Sequence, residues 1–297
     1  MKEIGAVILS QAAALAEQLS AAWVLAYWEQ IGSLETIKEA AEKVNLVLII
    51  RGEKKRAQAE KFSSQVVVVP KANLTRNAQI TLGVLSASAQ ALFKPNEILV
   101  CLAGPYGLGE VDMIQVVQVS ESGSAICFTC QGQFKESIPP HVFNGVLNLA
   151  VELAQEGREG RPIGTIFVLG DHEKVLQFSR QAVLNPFAGY PEESLSILGQ
   201  EMKETIREYS SLDGAFIIRS DGILLAAGRH IQAVSGDLEL PQGMGARHHA
   251  AAGITAVTQA VAMAISESSG TVTVFFNGQI IASLEKASPG LASESED

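Results

Sequence analysis

Three short stretches in the last third of the chain carry side chains suited to chemistry. The first is Leu212-Asp213-Gly214-Ala215, a carboxylate followed at once by the two smallest residues. A carboxylate opening a strand can be a hard oxygen ligand for a divalent cation, though taken alone an ordinary cap on a turn amide is the simpler reading. Gly214 and Ala215 leave the backbone open to close approach by a ligand. The second is Gly243-Met244-Gly245-Ala246-Arg247-His248-His249, directly before an apolar run from Ala250 to Ala264. A glycine loop leading into a helix start offers unpaired amides and the positive end of the helix dipole, and both favour an anion. Arg247 in that position can take phosphate oxygens two at a time. His248 is open to three roles, as phosphate donor, metal ligand or general base, and both His248 and His249 also suit a surface or capping position. The third is Ser266-Glu267 at a turn, where the carboxylate is either a second metal ligand or a solvated charge.

Elements must hold these residues in place. Leu212 to Arg219 reads as a strand, and Asp221-Gly222 has hairpin chemistry that returns the chain through Ile223 to Ala226. Ala250 to Ala264 reads as one apolar helix. Thr271 to Phe276 and Gln279 to Leu284 read as a hairpin about Asn277-Gly278. Upstream, Pro139 and Pro140 are placed to start a helix from His141 to Gln155. The polar loop from Glu156 to Arg161 feeds a buried strand ending near Leu169, and Asp171 is expected to cap a helix running to about Leu184. After the stiff segment Asn185 to Pro191, a further helix is expected from Glu192 to Tyr209.

The earlier part of the chain alternates helix and strand. Helical spacing covers Ile4 to Tyr27, Glu35 to Lys43 and Ile80 to Leu92. Compact apolar runs at Val44–Ile50 and Val66–Val69 read as buried strands, and Ile98–Leu102 and Met113–Val119 as two further strands. Such alternation implies a mostly parallel sheet covered on both faces, hence a small αβα sandwich. Gly104-Pro105-Tyr106-Gly107-Leu108-Gly109 lacks the Lys-Ser/Thr of a phosphate loop and precedes a strand, so it reads as a structural turn. Ala125 to Cys130 reads as another short strand. Cys127 and Cys130 have the spacing of a metal or redox half-site, but no second pair accompanies them, and a plain thiol pair is the simpler reading.

Composition bounds the class. The 297 residues are 47% hydrophobic and 18% charged, as in a globular protein of two ordinary domains. Polar breaks between about residues 120 and 140 divide the chain into 1–122 and 123–286, with a disordered acidic tail at 287–297. A net charge of -10 argues against broad nucleic-acid binding yet leaves room for a small anion met by a local group of donors. No apolar run reaches the length of a membrane span, and the start lacks a signal-peptide pattern, so no membrane association and a cytoplasmic location are expected.

Taken in order, Asp213-Gly214-Ala215, Gly245-Ala246-Arg247-His248-His249 and Ser266-Glu267, supported by Gly157 to Asp171 and Gly228 to Ile231, resemble the diadenylate cyclase domain family. The first 122 residues resemble the C-terminal domain of pyruvate kinase, a regulatory and assembly module, and the two together look like the archaeal-type cyclases. The resemblance implies a mixed-sheet α/β cyclase domain that condenses two ATP into cyclic di-AMP and releases two pyrophosphates. It implies Asp213, Arg247 and His248 as catalytic residues, and Mn2+ or Mg2+ held by Asp213, His248 and Glu267. It implies ATP contacts from Gly214, Ala215, Ile231, Gly245, Ala246, Arg247, His248, His249 and Ser266. It further implies a homo-oligomer containing at least face-to-face cyclase dimers, because each domain carries half of the reacting pair. Ala246 stands where the family often has Thr, and His249 where it often has Arg, so a hydroxyl and a permanent charge are lost near the phosphates. A nucleotide-binding sensor that does not turn ATP over is the alternative from another functional class.

Overall fold

Short, wholly apolar runs alternate with amphipathic stretches, and in the computed structural model they become buried strands and covering helices. The structure describes residues 2–31, 34–119, 138–233 and 240–288. The chain forms two compact units, Met1–Ser122 with Leu284–Asp297, and Gly123–Ser283. The expected strand Ala125–Cys130 with its two cysteines, the expected boundary at 122/123 and the tail from residue 289 lie outside the described residues.

The first unit contains α1 (Lys2–Leu19), β1 (Trp23–Tyr27), α2 (Trp28–Ile31), α3 (Leu34–Lys43), β2 (Leu46–Arg51), α4 (Arg56–Ala59), β3 (Gln65–Val69), α5 (Arg76–Ala89), β4 (Ile98–Ala103) and β5 (Met113–Gln118). Its sheet runs β3-β2-β1-β4-β5, parallel except for β5, which lies antiparallel to β4. One face packs Val24, Ala26, Leu48, Ile50, Val100 and Leu102 against Leu9, Ala12 and Ala16 of α1 and Ile37 of α3. On the opposite face α5 lies so close that a Cβ at Gly83 would stand 2.3 Å from Ile49 Cδ1. The sandwich is the expected one, with one correction. The helix does not reach Tyr27: Ser20 adopts φ 50, and the Ala21 amide reaches back to Ala16 O at 2.8 Å. This left-handed stop frees Trp23–Tyr27 to become the central strand. Gly104 begins the reversal into β5, where a Cβ would meet Glu110 O at 1.8 Å, so the glycine loop is a turn. Cys101 is buried, and burial pushes its thiol up to about 12.

The second unit contains α6 (Pro140–Glu156), β6 (Ile166–Leu169), α7 (His172–Gln177), β7 (Ser179–Gln181), α8 (Gln200–Tyr209), β8 (Ala215–Ile218), β9 (Leu224–Ile231), α9 (Ala246–Val257), β10 (Val261–Ile265), β11 (Val272–Phe276) and β12 (Gln279–Leu284). Its sheet runs β12-β11-β10-β6-β8-β9-β7 and is mixed, with β6 and β8 parallel and β10 antiparallel to β6. α9 covers the face made by Ile166, Val168, Ala215, Ile217 and Ala262. Phe167 and Phe216 stack on the other face, 5.2 Å between centroids. Asn277 at φ 49 and Gly278 at φ 75 make the tight turn expected between β11 and β12.

Three expectations for this unit are corrected. The helix expected to end at Ala264 stops at Val257, and Val261–Ile265 is a buried strand beside β6. Asp171 caps no helix with its side chain; its Oδ2 accepts from the Gln259 amide at 2.8 Å, and α7 gives way after one and a half turns to the edge strand β7. The helix expected from Glu192 is a single 3-10 turn at Glu192–Ser194, and α8 begins only at Gln200. Beyond β12 the Ala287 amide donates to Asn73 O at 2.9 Å, within the first unit. Among the described residues no helix is long and apolar enough to cross a membrane.

Candidate functional site

Strand register alone gathers most of the chemistry-bearing residues. Ile265 pairs with Val272, Ala264 with Ile166, Ile166 with Ala215, and Ala215 with Arg229. One edge of the sheet therefore carries Ser266-Glu267 after β10, Gly164-Thr165 before β6, Asp213-Gly214 before β8, and the last residues of β9. Asp213 is exposed there, and its carboxylate makes no hydrogen bond or ion pair among the described residues. Gly214 has a reason of its own to be glycine. At φ 111, a Cβ would stand 2.8 Å from Arg229 N and Gly228 C, so the β9 backbone, rather than a ligand, fills the space. Ala215, expected to meet the nucleotide through its backbone, and Ile231, expected at the base, have their side chains in the core beneath α9 with Ala226, Ala251 and Ala252.

The start of α9 reaches the same edge. Gly245 is its N-cap, with no side-chain cap and open space where a Cβ would point. Gly245 O takes the amides of His248 and His249, leaving those of Ala246 and Arg247 without an acceptor among the described residues. A 12-residue helix thus opens on free amides, which is the arrangement that attracts an anion. Arg247 Nη1 donates to Glu267 Oε2 at 3.2 Å, joining the helix start to the turn after β10. Behind this pair lies Gly164, where a Cβ would fall 2.7 Å from Arg247 Nη1 and 3.0 Å from Glu267 Cβ. Gly164 is the member of the site whose role sequence reasoning missed; its only signal was a glycine at the entry to a buried strand.

His248 and His249 part company. His249 is exposed. His248 is 8% exposed and meets the Phe275 ring edge-on at 6.1 Å. Burial, and then the neighbouring His249, hold the His248 imidazole below the usual 6.5, so it is neutral near pH 7. Its ring is a hydrogen-bonding group without a charge. Ser266 Oγ lies 3.3 Å from Ser268 Oγ and accepts weakly from the Ser269 amide, shaping the turn that presents Glu267. Arg229 works inside the fold: it donates to Leu176 O at 2.8 Å and Ser179 O at 2.6 Å, tying α7 to the end of β9.

Among the described residues no group of three or more His, Cys, Asp or Glu is placed to hold an ion, so Asp213, His248 and Glu267 are not brought together as one ligand set. The exposed Asp213 carboxylate fits a cation that takes most of its ligands from a phosphate chain and water.

Comparison with known proteins covers both units. Residues 152–280 match the family described as DisA bacterial checkpoint controller nucleotide-binding, and residues 6–123 match the probable sensor domain DacZ_P. The chain is 39% identical over 203 residues to a diadenylate cyclase of Methanocaldococcus jannaschii, covering 68% of this chain and 64% of that one. The match thus spans a little under two thirds of that relative's length. It is 32% identical over 208 residues to a diadenylate cyclase of Haloferax volcanii, covering 70% of this chain and 75% of the relative. Among solved structures, a double mutant of DacA from Staphylococcus aureus is similar at 22% identity and a TM-score of 0.35, over 50% of this chain and 87% of that one. With a relative 32% identical and matched over three quarters of its length, the chain belongs to the diadenylate cyclase family.

Proposed function

We propose that the chain condenses two ATP molecules into cyclic di-AMP with release of two pyrophosphates. The observation that carries this reading is the meeting, at one sheet edge, of a free carboxylate, an uncapped helix start and an arginine. In each half-reaction the 3′-oxygen of one ATP attacks the α-phosphorus of the other. A new P–O bond forms, the bond from the α-phosphorus to the bridging oxygen breaks, and pyrophosphate carries away the electron pair. Asp213 would sit beside the attacking hydroxyl, take its proton as the new bond forms and pass it to solvent, to which its carboxylate is exposed. The amides of Ala246 and Arg247, the Arg247 guanidinium and the His248 ring would hold phosphate oxygens, and Gly214 would line the nucleotide with backbone. A divalent cation, Mn2+ or Mg2+, held by Asp213 and the phosphates, would supply charge neutralisation. One protomer holds one ATP, so the ring needs a second copy facing it.

The test is incubation of the protein with ATP and Mn2+, with products identified by mass spectrometry. Cyclic di-AMP is expected, and Asp213→Asn should reduce its yield by at least a hundredfold while the circular dichroism spectrum stays unchanged. Nucleotide binding with no product would instead identify a sensor. Undiminished turnover by the Asn variant would remove Asp213 from the mechanism.

A further inference from the structure

Resting on that reading, we propose that Glu267 promotes pyrophosphate release by taking Arg247 back from the departing phosphates. The Arg247 guanidinium is neither loose nor buried. It is held at 3.2 Å by the Glu267 carboxylate and backed by the Gly164 backbone, with the two side chains 37% and 61% exposed. Arg247 itself belongs to the first turn of α9, whose free amides draw an anion. Glu267 and a phosphate chain therefore compete for one arginine.

Magnitude decides who wins at each stage. An exposed ion pair is weak, equivalent to no more than about a fivefold bias in an equilibrium. ATP brings a triphosphate, a ribose and a base, and its summed contacts override such a bias easily. Pyrophosphate, once cut from the nucleotide, has lost the sugar and base contacts, so a bias of that size is a sizeable part of what remains. The carboxylate also adds like-charge repulsion against an anion that lingers. Gly164 makes the exchange possible within a small space, because any side chain there would collide with both partners.

The experiment measures binding of inorganic pyrophosphate with Mg2+ to the full chain by calorimetry, for the native protein, Glu267→Gln and Arg247→Ala. Steady-state KM for ATP and inhibition by pyrophosphate are measured alongside. Glu267→Gln should bind pyrophosphate roughly two- to fivefold more tightly, with its inhibition constant and the KM for ATP falling in the same direction. A variant that merely loosened the turn after β10 would weaken both ligands, so the sign separates the proposal from structural damage. Arg247→Ala should lose most pyrophosphate binding. If Arg247→Ala loses binding while Glu267→Gln binds as the native chain does or worse, the release role is overturned and the phosphate role of Arg247 stands. If Arg247→Ala binds pyrophosphate like the native chain, both the release role and the parent assignment of Arg247 fall.

Discussion

His248 shows how a single side chain ties the stability of the second unit to pH. Burial holds its folded-state pKa below the usual 6.5, so the unfolded chain binds a proton here more readily than the folded one. That contribution to stability is complete above about 6.5 and declines as pH falls from there towards the folded value. Urea midpoints of the native protein and His248→Gln, measured from pH 7.5 down to 5, should converge or cross as the native protein loses this contribution and the variant does not. Parallel curves would show that the ring titrates alike in both states. Much at this scale was legible in the sequence. Asp213-Gly214-Ala215 and Gly245 to His249 announce themselves because a carboxylate before two small residues, and a glycine loop before a helix start, are written locally. The division of labour between His248 and His249 was not legible, since it depends on Phe275, which lies 27 residues further on in a different strand. The reason for Gly214 was also hidden: the atoms it makes room for are the backbone of β9.

Among the elements, α9 does most to position the site, and it does so by lying unusually close to its neighbour. A Cβ at Gly253 would stand 2.4 Å from Ala233 O, so the helix rests directly on the chain leaving β9. Gly253→Val should force the two apart, destabilise the fold by about 1–3 kcal/mol and lower Tm by a few degrees. Because Arg247 rides on the same helix, cyclic di-AMP formation should fall more than the loss of folded protein explains. Thermal melts with activity assays well below Tm check this, and unchanged activity per folded molecule would mean the helix start is positioned independently of that contact. Elements were misread where a strand is short and apolar throughout. Trp23–Tyr27 and Val261–Ile265 each follow a helix after a brief break and show no alternation, so periodicity extends the helix across them. The second error concealed the Arg247–Glu267 pair: an unbroken helix to Ala264 carries Glu267 away from the start of α9, whereas β10 turns the chain back beside it.

For the whole molecule, the decisive matter is that one protomer offers one Asp213, one α9 start and thus one proposed ATP site, whereas the proposed ring closes two nucleotides on each other. Such a closed, self-complementary pairing is the isologous arrangement of a two-fold dimer. The two halves of the reaction are then inseparable, because each nucleotide is at once attacker and target. A protomer with Asp213→Asn would still bind ATP through the helix start and would occupy its partner's face without completing the second bond. Mixing native and Asp213→Asn chains in equal amounts and allowing exchange leaves about one quarter of dimers wholly native, so product per native chain should fall to about half. Cyclic di-AMP yield measured across a series of mixing ratios should therefore follow the square of the native fraction. A yield linear in that fraction, with exchange verified by native mass spectrometry of differently labelled chains, would mean that a lone native protomer completes the ring and that the paired mechanism is wrong.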